Sequence, residues 1–266
     1  MAAFMPKDTI YITILRHPVE QFESSFFFFE LWRLLGVPGE TNLEKMQNFL
    51  EYPKQFLFSY LARGRLTQLD SSVNLVRNGM LFDLGLKPRY YNNTHYVNNY
   101  IKDLEASFHL VLLQEYFDES LILLKRMLCW DINDVLHFKL NQRKTKHLEN
   151  IPASVMEKIL QWNSADLKLY NVFNRTFWNT VESQGPSFYD ELRLLRQLNR
   201  QKKAECLPQN ISRQNAIKYT TSYKLKRSRL VEQKEECSKM IMNEADYISY
   251  YRKKQMPRPV HVKTLR

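Results

Sequence analysis

Residues 10–25, IYITILRHPVEQFESS, hold the arginine best placed to do chemistry. Ile10, Ile12 and Ile14 alternate with Tyr11, Thr13 and Leu15, so both faces of the run are apolar, as in a parallel strand buried between helix layers. Pro18 reads as a first helical residue, where its missing N–H costs nothing and its fixed φ favours the helix. Arg16 therefore lies at the carboxyl end of a strand, just before a helix N-terminus. Open α/β sheets bind ligands beside such strand ends, and the free N–H groups of the helix start favour an anion, phosphate above all. An arginine so placed is more often a surface ion-pair partner, and these residues alone leave both readings open.

The elements that must hold this site follow from pattern. The helix from Pro18 is expected to run to about Leu35 and stop at Gly36, with Pro38 beyond as a breaker. Its phenylalanines, in SSFFFFELWRLL (24–35), are expected to pack against the sheet. Glu30 and Arg33 interrupt that stretch, which is far short of the roughly 20 residues that cross a bilayer. Residues 41–69 read as one or two amphipathic helices, with Thr41 and Glu44 in capping-box spacing. Residues 70–100, rich in Asn, Tyr and Gly, read as loops able to carry a substrate. FHLVLLQ (108–114) is a second apolar strand, followed by a helix over 117–128 whose first turn holds Asp118 and Glu119. Residues 153–205 are helical by pattern, with Pro152 ahead of a capping Ser154 and Glu157 and a break near Gly185 and Pro186. One more helix, about 227–254, and a disordered end complete the reading. The class is α/β, a parallel sheet flanked by helices with a helical C-terminal region.

The 266 residues are 44% apolar, enough for a real core, and carry six glycines and a formal charge of +11. That charge favours anionic partners, such as nucleotide, sulfated sugar or acidic lipid. Much of it lies late, in RLLRQLNRQKK (193–203), YKLKRSR (223–229) and YYRKKQMPRP (250–259). No zinc-finger, helix-turn-helix or RNP-type framing accompanies these runs, so nucleic acid is not an expected partner. Of the three cysteines, Cys206 and Cys237 flank the basic C-terminal region and are the better pair for one bridge, while Cys129 sits among apolar neighbours. His95, His109, His137 and His147 show no metal-ligand spacing, and no metal is inferred. Asn92, Asn174 and Asn210 head glycosylation sequons, usable only in the secretory pathway.

Five segments resemble, in order, the galactose 3-O-sulfotransferases, the family that includes galactosylceramide sulfotransferase. They are MPKDTIYITILRHPVEQFESSF (5–26), NGMLFDLGL (78–86), FHLVLLQEYFDESLILLKRML (108–128), FKLNQRK (138–144) and LYNVFNRTFW (169–178). The resemblance covers residues 5 to about 205, read as a sulfotransferase domain (5–205) followed by a basic helical or disordered extension (206–266). It implies a partial P-loop-like sulfotransferase fold and transfer of sulfate from 3′-phosphoadenylyl sulfate, a co-substrate, to the 3-hydroxyl of a terminal galactose on glycolipid or glycoprotein glycans. It also implies residence in the Golgi lumen, where full-length relatives carry a membrane anchor.

On these residues the resemblance places Arg16 and Ser24 on the donor's 3′-phosphate. A late basic loop in FKLNQRKTK (138–146) resembles the one that closes over that phosphate, through Asn141, Arg143 and Lys144, an ordinary surface loop being the alternative. Asp83 could accept from galactose hydroxyls or close the turn beside Gly85, the turn being the preferred reading. His17 would contact nucleotide or nothing, because the family's base lies upstream. No catalytic residue is assigned. That base and the 5′-phosphosulfate loop fall upstream of the segment with which this chain opens, and GxxxxGKS/T occurs nowhere in it. The expectation is an N-terminally truncated member that binds nucleotide weakly and does not turn over alone. Two other classes remain open: a non-catalytic nucleotide- or glycan-binding remnant, and a basic interaction protein acting through residues 206–266.

Overall fold

A computed structural model of the chain describes residues 5–62, 68–140, 151–208, 215–217, 220–221, 225 and 231–256. They form two compact units, one of residues 1–131 and 146–192, the other of 132–145 and 193–266.

The first unit holds a two-stranded parallel sheet, β1 (Ile12–Leu15) and β2 (Leu110–Leu113), in the register Ile12 opposite Leu110 through Leu15 opposite Leu113. This is an α/β arrangement, mostly helical. Between the strands come α1 (Pro18–Phe28), α2 (Leu31–Leu35), α3 (Asn42–Glu51), α4 (Pro53–Ala62), a 3-10 helix (Gln68–Val76), α5 (Gly79–Asp83) and α6 (Thr94–Ser107). After β2 follow α7 (Phe117–Leu128), α8 (Ala153–Trp162), α9 (Ser164–Ser183) and α10 (Pro186–Cys206), whose residues from 193 on belong to the second unit.

Local chemistry explains most of these boundaries. Pro18 stands at the first position of α1 and Glu20 in its first turn. Thr41 and Glu44 form the reciprocal capping box of α3. Asp118 and Glu119 open α7, Lys125 and Arg126 close it, and Cys129 ends it in the left-handed region at φ 54°.

Four expectations are corrected. The helix from Pro18 does not run to Leu35: Glu30, at φ 50°, breaks it into α1 and α2, and the turn lets Leu31 and Leu35 both bury. The phenylalanines divide as a result. Phe22 and Phe26 are fully inside, packed on Phe49 of α3 at 6.0 and 5.3 Å between ring centroids, and Phe49 meets Trp162 of α8 at 6.0 Å. Phe28 and Phe29 point outward. That core is thus helix on helix. Residues 70–100 are not loop-dominated, since α5, the start of α6 and two 3-10 segments occupy most of them. β1 is not buried on both faces: Ile12 and Ile14 of the strand, and Ile10 just before it, are 42–44% exposed, whereas Leu15 is buried. Pro152 occupies the N-cap of α8, so Ser154 lies inside the helix and caps nothing.

In the second unit α11 (Val231–Lys239) and α12 (Glu244–Gln255) replace the single late helix expected, and a short antiparallel pair joins β3 (Asn215–Ile217) to β4 (Thr220–Thr221). Cys206 and Cys237 are disulfide-bonded with Cα atoms 5.5 Å apart, and both are buried with Phe138 and Leu207. Cys129 is free and exposed. No helix among the described residues is long and apolar enough to cross a membrane.

Candidate functional site

Because β1 and β2 are parallel and end in register, the chain leaves both at the same edge: Arg16 and His17 after β1, Gln114 and Glu115 after β2. Carboxyl ends of parallel strands are where such sheets place ligands.

Arg16 is fixed at two points. Its backbone N–H donates to the Met80 sulfur at 3.4 Å, and its Nε–H donates to Glu20 Oε2 at 3.1 Å, one turn along. Both side chains are about a third exposed. The Nη nitrogens make no hydrogen bond to another described residue, so one edge of the guanidinium fork stays open. The ion-pair reading of Arg16 is therefore realised at Nε while its outer donors remain available. Ser24 stands a further turn along α1, half-buried, and its hydroxyl likewise bonds no described residue.

His17 occupies the N-cap position of α1 without a side-chain cap bond and donates its backbone N–H to Glu115 Oε1 at 2.5 Å. The other carboxylate oxygen of Glu115 accepts from the Tyr170 hydroxyl at 3.3 Å, and the Tyr170 and His17 rings meet edge-on at 5.2 Å. Burial, and then the adjacent Glu115 carboxylate, hold the Tyr170 phenol above its ordinary range. The His17 ring is thus engaged in packing beside the site.

A buried layer supports this edge. Asn78, at φ 49°, accepts from the N–H groups of Ala165 and Asp166 and so caps α9, while Asn163 accepts from the Asn78 N–H at 2.7 Å. Asp166 answers by accepting from the N–H groups of Met80 and Leu81 at 3.0 and 2.9 Å, which caps α5. Burial raises the Asp166 carboxyl to about 7, its two N–H donors oppose the rise, and Asp83 adds to it. Through Met80 this pair of reciprocal caps reaches the Arg16 backbone.

The remaining predicted residues are dispersed. Asp83 ends α5, exposed, and its side chain bonds no described residue; the turn at Gly85 is closed by backbone, Gly85 N–H to Phe82 O at 2.9 Å and Leu86 N–H to Leu81 O at 2.8 Å. Asn92 is exposed and accepts from Arg77 Nη2 at 2.7 Å. Asn174 sits midway along α9, half-buried. Asn141, Arg143, Lys144 and Asn210 lie outside the described residues.

Glu115, Tyr170 and Glu20 were not anticipated. A signal existed for Glu115, which stands two residues past the last residue of β2 as His17 stands two past that of β1. Tyr170 gave none, because it falls in the apolar stripe of α9 with Leu169, Phe173 and Phe177.

A parallel α/β protein with an open arginine at its strand ends is the class that fold and site define. The chain belongs to the galactose-3-O-sulfotransferase family, which matches residues 1–255. It is 37% identical over 203 residues to galactosylceramide sulfotransferase of Bos taurus (74% of this chain, 44% of the relative), and 33% over 261 residues to that of Mus musculus (90% and 58%). It is also 32% identical over 277 residues to galactose-3-O-sulfotransferase 3 of Bos taurus (96% and 61%). The chain spans about half the length of these curated relatives. No solved structure matches.

Proposed function

We propose that this protein serves the transfer of sulfate from 3′-phosphoadenylyl sulfate to the 3-hydroxyl of a terminal galactose on a glycolipid or glycoprotein glycan, in the Golgi lumen, on a P-loop-like sulfotransferase fold. The observation that carries the reading is the open Nη edge of Arg16, held at the carboxyl end of β1 within a chain of this family. Arg16 grips the donor's 3′-phosphate, with Ser24, one turn beyond Glu20 on α1, as a second donor. A guanidinium fork matches phosphate geometry with two parallel bonds, and Glu20 pre-sets its direction at Nε.

In the reaction a base takes the proton of the galactose hydroxyl, and positive charge neutralises the departing bridging oxygen, as in phosphoryl transfer. No base is assigned within these 266 residues. Their part is to bind and orient the nucleotide at its ribose end. From the resemblance alone, Asn141, Arg143 and Lys144 are carried as further candidates for nucleotide binding; they lie outside the described residues. Asp83, exposed with its carboxylate free of described partners, is the acceptor-side candidate for galactose hydroxyls.

A charge-assisted hydrogen bond contributes roughly 1.5 to 3 kcal/mol. Arg16→Ala should therefore weaken binding of adenosine 3′,5′-bisphosphate by about ten- to a hundred-fold in calorimetric titration. Equal affinities of the two proteins would reject the assignment.

A further inference from the structure

We propose that Glu115 is a positioning residue for the donor's 3′-phosphate, acting on Arg16 through the turn that follows β1. The inference rests on the reading of Arg16 given above and adds a residue that touches neither nucleotide nor sugar.

The argument begins with the sheet. Leu15 and Leu113 are the last paired residues, and beyond them both strands stop. β2 turns at once into a 3-10 segment, Gln114–Tyr116, which leaves no strand carbonyl to receive the next N–H of the neighbouring chain. That N–H belongs to His17. The Glu115 carboxylate takes it at 2.5 Å, continuing the ladder by one rung with a side chain. A backbone N–H bound to an ionised carboxylate is among the stronger hydrogen bonds available.

The second oxygen of Glu115 is held by Tyr170, whose ring also packs edge-on against His17. Glu115 is therefore a fixed strut rather than a mobile surface acid. Arg16 lies between Leu15, locked in the sheet, and His17, locked by Glu115, while its own N–H is taken by Met80. With both peptide neighbours fixed, the direction of the Arg16 side chain follows, and Glu20 completes it at Nε. Release of His17 would let the turn relax, and the open Nη edge would lose its aim before a ligand arrives. Preorganised donors bind more tightly because less freedom is lost on binding.

The test uses the full chain and two probes, adenosine 3′,5′-bisphosphate and adenosine 5′-monophosphate, which differ by the 3′-phosphate alone. The quantity read is the ratio of their affinities. Wild-type protein should prefer the bisphosphate. Glu115→Ala should cut that preference about tenfold, the lower range for a charge-assisted bond. Glu115→Gln, which keeps an acceptor for the His17 N–H and a partner for Tyr170, should retain it. Adding Glu115→Ala to Arg16→Ala should cause no further loss, since the first acts through the second.

A merely structural Glu115 would lower the melting temperature and weaken both nucleotides in proportion, leaving the ratio unchanged; that result overturns the proposal while the Arg16 reading stands. A wild-type protein with no preference for the bisphosphate overturns both. Should Glu115→Ala not fold, Tyr170→Phe, which removes one bond to the carboxylate, is read in the same way: a reduced ratio supports the strut, an unchanged one overturns it.

Discussion

At Arg16 the division of labour among three nitrogens matters more than the presence of an arginine. Nε is spent on Glu20, and the two Nη groups face no described acceptor. That arrangement was half legible, because strand, turn and helix lie in one contiguous segment. Its support was not: Glu115 is 98 residues from His17 and 55 from Tyr170 in sequence, and no local pattern links them. Asp166 is the other hidden residue, and it carries a pH prediction. Its folded carboxyl titrates near about 7, well above the ordinary 3.8, so the folded protein binds a proton that the unfolded chain has released between those values. Stability should therefore fall as pH rises from about 4 to about 7, by at most about 1.4 kcal/mol per pH unit, and level off above. Asp166→Asn should flatten that segment of the curve in urea titrations across pH. An unchanged slope would assign the proton elsewhere.

Among the elements, α5 and α9 are joined by caps that each supplies to the other, and the residues before α5 looked like loop. The turn at 77–78 that precedes α5 aims the Asn78 side chain at the start of α9, a role that a loop reading of residues 70–100 does not contain. Asn78→Ala strands two buried N–H groups and places a Cβ-bearing non-Asn residue at φ 49°. A loss of about 2 kcal/mol or more is expected in chemical denaturation. Asn78→Gly should recover only the backbone part. The helix break at Glu30 was also missed, because helical spacing alone does not show where a segment must bend to bury a second face. The break gives a contrast between neighbours. Phe26→Ala should cost about 3–5 kcal/mol, since its ring is enclosed by Phe22 and Phe49, whereas Phe28→Ala should stay within about 0.5 kcal/mol.

For the molecule as a whole, the order of strand, helices, strand and helices could be read in advance, as could the chain's likeness to its family. Residue partition could not. The described residues 132–140 group with the C-terminal stretch rather than with the strand-helix segment they follow, a grouping that no composition shift marks. The Cys206–Cys237 bond closes 31 residues of that unit over Phe138 and Leu207. Its removal by Cys237→Ser should cost about 2–4 kcal/mol, and native-state hydrogen exchange should show α11 losing protection while α1 and α9 keep theirs. Uniform loss would mean that the two units unfold as one.

The central claim is that Arg16 and Ser24 hold the 3′-phosphate of a sulfate donor. A crystal structure of the protein with adenosine 3′,5′-bisphosphate tests it most directly. The account predicts the 3′-phosphate oxygens within about 3 Å of the Arg16 Nη nitrogens and the Ser24 hydroxyl, with the Nε bond to Glu20 intact. A nucleotide seated elsewhere, or one whose 3′-phosphate touches neither residue, would contradict it.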